Sequence, residues 1–200
     1  MENDDTKNRF CEDLVKHNRL RDFSKWFFYS GMLYGSSDKW WGKGGERPDA
    51  HEGLDICYYL DSKDKLIQLQ GLLWIPAMYS GTVFEISDDD YLGKSIFIRH
   101  GARDSNNLIL HSVYAHSVPA RGLCVNQTVK QGEIIAAMAD ISERNLSIPA
   151  HIHVSMVFLP EDYPKDKLKW QILALTYQAR LVDPFAYLDC DYTVKPYVPL

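Results

Sequence analysis

Two short stretches constrain this chain more than any other part of it: Asp49-Ala50-His51-Glu52-Gly53-Leu54-Asp55 and Pro149-Ala150-His151-Ile152-His153. Each sets histidine or carboxylate at even spacing. Side chains of an extended strand alternate between faces, so His151 and His153 share one side while Ile152 and Val154 take the other. By the same parity His51, Gly53 and Asp55 share a face, opposite the more apolar Leu54, Ile56, Tyr58 and Leu60. Two strands of this kind can hold a metal ion over a sheet, and zinc is the first candidate. A hydrolytic zinc site needs three protein ligands and an open position for water, a set that His51, Asp55 and His153 could supply. Zinc in such a site lowers the pKa of its bound water toward ~7 and polarises a substrate carbonyl.

The rest of the chain reads as a β protein with helical ends. Residues 6–29 carry apolar groups at Phe10, Leu14, Phe23, Trp26 and Phe27 behind a candidate cap, Asp5, and predict one or two amphipathic helices. From Ser30 to Pro48 the composition shifts to Gly, Ser, Trp and charge, predicting a long loop around Trp40-Trp41-Gly42-Lys43-Gly44-Gly45. Within it Tyr34, Trp40 and Trp41 suit a groove wall, a tyrosine that donates to an oxyanion, or simply a packed loop. Short β-branched and aromatic runs follow: Ile56–Leu60, Leu66–Ile75, Gly81–Ile86, a hairpin of Ser95–His100 with Leu108–His116, and a strand pair within Val125–Ile135 turning at Gln131-Gly132. Strands at this spacing without intervening helices predict an antiparallel core. Leu168, Ile172, Leu173 and Leu175 predict a helix over 165–180, which Asp183-Pro184 stops.

Composition narrows the partners. With 27 acidic against 22 basic residues and no basic stripe, nothing predicts nucleic-acid binding. The longest apolar run, Gly71 to Tyr79, is about half the ~20 residues of a spanning helix, so no membrane span is expected. The four cysteines, Cys11, Cys57, Cys124 and Cys190, form no C-x-x-C pair and read as buried free thiols, with a disulfide as the alternative. Cys57 shares the parity of Asp55 but fits a buried thiol better than a ligand. His17, His100 and His111 lack ligand spacing and read as structural or surface residues, with His100 and His111 able to line an outer groove. Asp88-Asp89-Asp90 lacks the spacing of a calcium loop and reads as a solvated hairpin tip.

Three motifs in order carry a family resemblance. His51-Glu52-Gly53-Leu54-Asp55 resembles the H-x-G-x-D element of the lysostaphin and LytM-like M23 zinc metallopeptidases, Tyr114-Ala115-His116 their Y-x-H element, and His151-Ile152-His153 their H-x-H element. The resemblance runs from about Arg47 to Val157. It implies a mainly β fold, an antiparallel sheet or sandwich core with N- and C-terminal helical additions. It also implies an organisation of three parts: 1–45 as helical extension and loop, 46–160 as the peptidase core, and 161–200 as a C-terminal helix and tail on the same domain. In this family His51, Asp55 and His153 would bind one Zn2+. His116 and His151 would be catalytic, assisting proton transfer and orienting the attacking water or the oxyanion. The chain departs from the family in the bulky loop Asp140–Ala150, in Val154-Ser155 where an aromatic and an acid often follow H-x-H, and in a longer 58–80 segment. These departures bear on substrate specificity more than on metal binding.

The expectation is a zinc endopeptidase acting on peptides of bacterial peptidoglycan, in cross-bridges or stems. The alternative is a non-catalytic peptidoglycan-binding or regulatory module on the same fold. A cupin-type metal enzyme, the third reading, expects a glutamate a few residues beyond the histidine pair, whereas the first acid after His153 is Glu161. A wall-cutting enzyme belongs in the cell envelope or outside it, yet the acidic start of the sequence carries no export signal, which leaves a removed signal or a cytoplasmic location.

Overall fold

The computed structural model describes residues 8–88, 93–141, 146–168, 176 and 178–199. It opens with helix α1, Phe10–Asn18, whose buried face carries Phe10, Cys11 and Leu14. Arg19 ends the helix in the left-handed region (φ 49°), and the Leu20 N–H closes back on the Val15 carbonyl at 3.1 Å. Asn18 then ties the helix down: its side chain donates to the Trp74 carbonyl (2.9 Å) and accepts from the Trp74 N–H (2.7 Å).

The expected helical stretch does not continue. Phe23–Tyr29 is strand β1. Its aromatic residues belong to the types that fill pleated, half-buried surfaces, and two of them, Trp26 and Phe28, are buried almost completely. Twelve more strands follow: β2 Leu54–Ile56, β3 Tyr58–Asp61, β4 Leu66–Gln68, β5 Trp74–Pro76, β6 Gly81–Asp88, β7 Lys94–Arg103, β8 Ile109–Pro119, β9 Thr128–Val129, β10 Ile134–Met138, β11 Ile152–Leu159, β12 Arg180–Val182 and β13 Tyr192–Lys195.

The strands form two sheets. The smaller has the order β13-β1-β3-β4 and unites the two ends of the chain, with β13 lying parallel to β1 while the other pairings are antiparallel. The larger runs β12-β11-β8-β7-β6-β9, with β2 joining β11 and β10 linking β5 to β8. Trp26, Phe28, Ile56, Tyr114, Val154 and Met156 belong to one hydrophobic cluster that spans both sheets. A second, smaller cluster of Phe97, Val113, Val157, Leu159, Tyr163 and Leu168 lies apart from it.

The hairpin of β7 and β8 forms as expected. Other expected strands break. Ile56–Leu60 divides at Cys57, where the chain leaves one sheet for the other. Leu66–Ile75 divides into β4 and β5 around Gly71, whose φ of 74° suits glycine alone without strain. The strands on either side of Gln131-Gly132 turn away from each other, β9 pairing with β6 and β10 with β5 and β8. The tip Asp89-Asp90, the centre of the 140–150 loop and most of the expected 165–180 helix lie outside the described residues; Lys165–Lys167 forms a single 3-10 turn. Cys11 and Cys57 are buried free thiols as expected, but Cys124 is exposed and Cys190 only half-buried. No helix among the described residues is long and apolar enough to cross a membrane.

Candidate metal centre

Strand β11 is flanked at its start by β2 on one side and β8 on the other. His153 sits in register with Asp55 on β2 and with Ala115 on β8. Directly opposed residues project to the same side, so this register turns His153 and Asp55 toward each other. His51, just before β2, completes the group. Asp55 Oδ1 lies 3.1 Å from His51 Nε2 and 2.9 Å from His153 Nδ1, and the two nitrogens are 3.2 Å apart. All three residues are buried, with exposures of 2–4%.

These separations test whether a metal fits. With bonds of ~2.0–2.2 Å, a tetrahedral zinc site has donor–donor edges of about 3.3–3.6 Å, and the observed triangle lies just inside that size. The histidine tautomers agree. His51 Nδ1 faces the Leu33 carbonyl at 3.1 Å, a contact that only an N–H can make, so its Nε2 turns a lone pair toward Asp55 Oδ1. His153 Nε2 reaches Ser155 Oγ at 2.9 Å, and donating there leaves Nδ1 as the second lone pair. Two nitrogen lone pairs and a carboxylate oxygen converging in a buried site form a donor set suited to a cation.

The carboxylate is held from behind. Asp55 Oδ2 accepts a hydrogen bond from Trp40 Nε1 at 2.6 Å, and Arg47 Nη2 stands 3.5 Å away. Burial opposes ionisation of Asp55, yet the electrostatic influence of the neighbouring His51, His151 and His153 outweighs it and holds the carboxyl well below its usual range. Gly53 is required by close approach. A Cβ there would meet the Val154 carbonyl and come within 2.6 Å of Ser155 Oγ and 2.7 Å of His153 Nε2.

The two remaining histidines stand beside this group. His151 donates Nδ1–H to the Pro149 carbonyl (2.8 Å), which leaves Nε2 as its acceptor, 3.5 Å from Asp55 Oδ1. Burial pushes its pKa down to about 4, and burial does the same to His153. The His116 ring lies 4.9 Å from that of His151 and 5.8 Å from that of His153. Strict alternation would send His116 to the side of Tyr114, which is buried in the larger cluster. Instead His116 has a φ of 53° at the point where β8 stops pairing with β11 and begins pairing with β10. This left-handed residue re-aims the ring toward the other histidines, as backbone irregularities beside functional sites commonly do.

The structure therefore gathers His51, Asp55, His116, His151 and His153. It leaves out the histidines that lacked ligand spacing and the Cys57 thiol. His17 Nε2 lies 3.0 Å from the Gly132 carbonyl, His100 bridges the Ser80 carbonyl and Ser112 Oγ, His111 Nδ1 meets the Ile109 carbonyl, and Cys57 donates to the Ala150 carbonyl. Three supporting contacts escaped the sequence reading: Trp40 and Arg47 on Asp55, and Ser155 on His153. Only Ser155, two residues beyond His153 on the same strand face, carried a signal that parity could have used.

The sequence profile of Peptidase family M23 matches residues 68–162. Over that span the chain is similar to the M23 peptidases. The matched span contains His116, His151 and His153, while His51 and Asp55 lie upstream of it. No curated protein matches the chain. Among solved structures it is similar to cbpa from L. salivarius REN, at 17% identity over 83% of this chain and 94% of that one, with a TM-score of 0.48. It is also similar to lysostaphin (19% identity, 67% and 50% covered, TM-score 0.39). A third similar structure is the mutant catalytic domain of the prophage-encoded M23 protein EnpA from Enterococcus faecalis (22% identity, 64% and 85% covered, TM-score 0.38).

Proposed function

We propose that this M23-like chain is a zinc-dependent endopeptidase that hydrolyses peptide bonds of bacterial peptidoglycan, in a cross-bridge or a stem. One observation carries the reading: three donors from His51, Asp55 and His153 converge within 3.2 Å of one another, with two further histidine rings beside them. In this reading His51 Nε2, Asp55 Oδ1 and His153 Nδ1 hold a single Zn2+. When bound, zinc supplies a water of lowered pKa and polarises the scissile carbonyl.

The chain's own groups do the rest. His151 Nε2, held as an acceptor by the Pro149 carbonyl on its other nitrogen, takes a proton from the attacking water. His151 then hands that proton to the leaving amine, while His116 stands across from His151 and steadies the charge that develops on the substrate oxygen. Such a substrate places the protein's action at the cell envelope. Metal analysis of the purified protein combined with turnover of cell-wall peptides tests the reading. Stoichiometric zinc with cleavage supports it. Zinc-loaded protein that cleaves nothing across a broad panel of wall peptides would favour a binding or regulatory module on the same fold.

A further inference from the structure

The loop between Ser30 and His51 is built around the back of the metal centre. Asp38 and Glu46 form an isolated antiparallel bridge, the Lys39 N–H donates to the Gly45 carbonyl (2.8 Å), and the Gly44 N–H donates to the Trp41 carbonyl (3.0 Å). Gly42, Gly44 and Gly45 all have positive φ, which lets the chain turn back this tightly. Arg47 stitches the base, donating to the carbonyls of Gly31 (2.7 Å) and Asp38 (3.0 Å), with its guanidinium 4.7 Å from the Trp41 ring centre. The loop also grips the first motif directly, the His51 N–H donating to the Ser36 carbonyl and the Gly35 N–H to the His51 carbonyl. At its tip Trp40 is buried to 1% exposure.

Burial alone does not account for where the Trp40 indole points. Trp26 is equally buried, and its Nε1 makes no hydrogen bond among the described residues, so the fold accommodates an indole that only packs. Trp40 Nε1 instead lies 2.6 Å from Asp55 Oδ2, a short bond to an ionised carboxylate. The same ring stands edge-on to His151, 5.4 Å between centres at 88°.

We propose that Trp40 is a positioning residue for the metal centre: its indole N–H occupies Asp55 Oδ2, so that Asp55 presents Oδ1 alone to the metal, while the ring edge fixes the plane of His151. The proposal rests on the metal reading above. An Asp55 freed of this bond can turn both oxygens to the ion, which raises the coordination number and uses the position that a water needs. The neighbouring Arg47 guanidinium makes a longer contact to the same oxygen, at 3.5 Å against 2.6 Å for the indole.

The test compares wild-type protein with Trp40→Phe, which keeps a ring but loses the N–H, and with Trp41→Phe as a control beside it. Zinc Kd is measured by competition with a chromophoric chelator, Co2+ substitution is followed by visible absorption, and the metal-free proteins are melted. The expected result is a Kd raised on the order of 10–100-fold in Trp40→Phe, together with a weakened Co2+ band as coordination rises above four, while Trp41→Phe matches wild type. A Kd within about twofold of wild type and an unchanged Co2+ spectrum would overturn the proposal. Wild-type protein that binds no zinc overturns the metal reading itself, an outcome distinct from equal binding by both. If Trp40→Phe does not fold, the wild-type indole 15N–1H resonance decides. It should move on zinc addition if Trp40 holds a ligand, and an unmoved resonance sinks the idea.

Discussion

His153 and Asp55 face each other in register across two antiparallel strands, with Nδ1 and Oδ1 2.9 Å apart in a nearly solvent-free site. Ser155 and Trp40 hold the far side of each, so neither side chain can turn away without leaving a buried polar group unpaired. The pair is thus preorganised before any ligand arrives.

Removing one member should therefore empty the centre. His153→Ala is expected to lose stoichiometric zinc, as read by atomic absorption after dialysis, together with the stabilisation that zinc confers on melting. That stabilisation amounts to about 2.7 kcal/mol at a free zinc concentration of ~100 Kd. If His153→Ala retains one zinc per chain, the ligand assignment is wrong.

His116→Ala and His151→Ala should separate chemistry from metal binding. Both are expected to keep zinc near wild-type stoichiometry while peptide turnover falls roughly 10²–10⁴-fold, the usual worth of a positioned proton-transfer group. Parallel zinc titration and kinetics on one peptide would check this. Wild-type kcat in either variant would remove that histidine from the mechanism.

Gly53→Ala places a methyl within 2.6–2.7 Å of Ser155 Oγ and His153 Nε2 and against the Val154 carbonyl. Part of that surface is backbone and cannot rotate aside, so β2 must shift away from β11. The expected cost is about 1–3 kcal/mol by urea denaturation, with weaker zinc binding as the Asp55–His153 register loosens. A variant as stable as wild type would show that the strands separate freely.

Acid stability offers a test away from the metal. His111 is buried beside Phe84, and burial pushes its pKa from 6.5 down to about 4. The folded state thus holds it neutral while the unfolded chain protonates near 6.5. Its contribution is fully present above pH 6.5 and is lost as pH falls toward 4. His111→Leu should flatten the decline of the urea midpoint across that window, recovering on the order of 3 kcal/mol at its acid end. An equally steep decline in the variant would mean that other groups carry the transition.

Much of the site was legible because strand parity is local. Even spacing put His151 with His153, and His51 with Asp55, on the ligand-bearing face, and it put Ile152, Val154, Leu54 and Ile56 in the core, where they lie. The order of the three motifs carried the family resemblance, and the β-rich runs carried the fold class. Parity could not place His116, since its ring reaches the other histidines only through a left-handed residue at a change of strand partner. Nor could local pattern tell that Phe23–Tyr29 is a strand: its aromatic residues suit either a helix face or a two-sided strand, and the choice is made by β3 and β13 pairing on its two edges.

The amino-acid sequence by itself determined which residue types could meet a metal and which strand faces they would occupy, because alternation is a property of each strand alone. Only the tertiary structure decided that Asp55 and His153 stand in register, that Trp40 comes from 15 positions upstream to hold the second carboxylate oxygen, and that both chain ends share one sheet. Those relationships depend on pairing between segments far apart along the chain, which is set by the packing of the whole core.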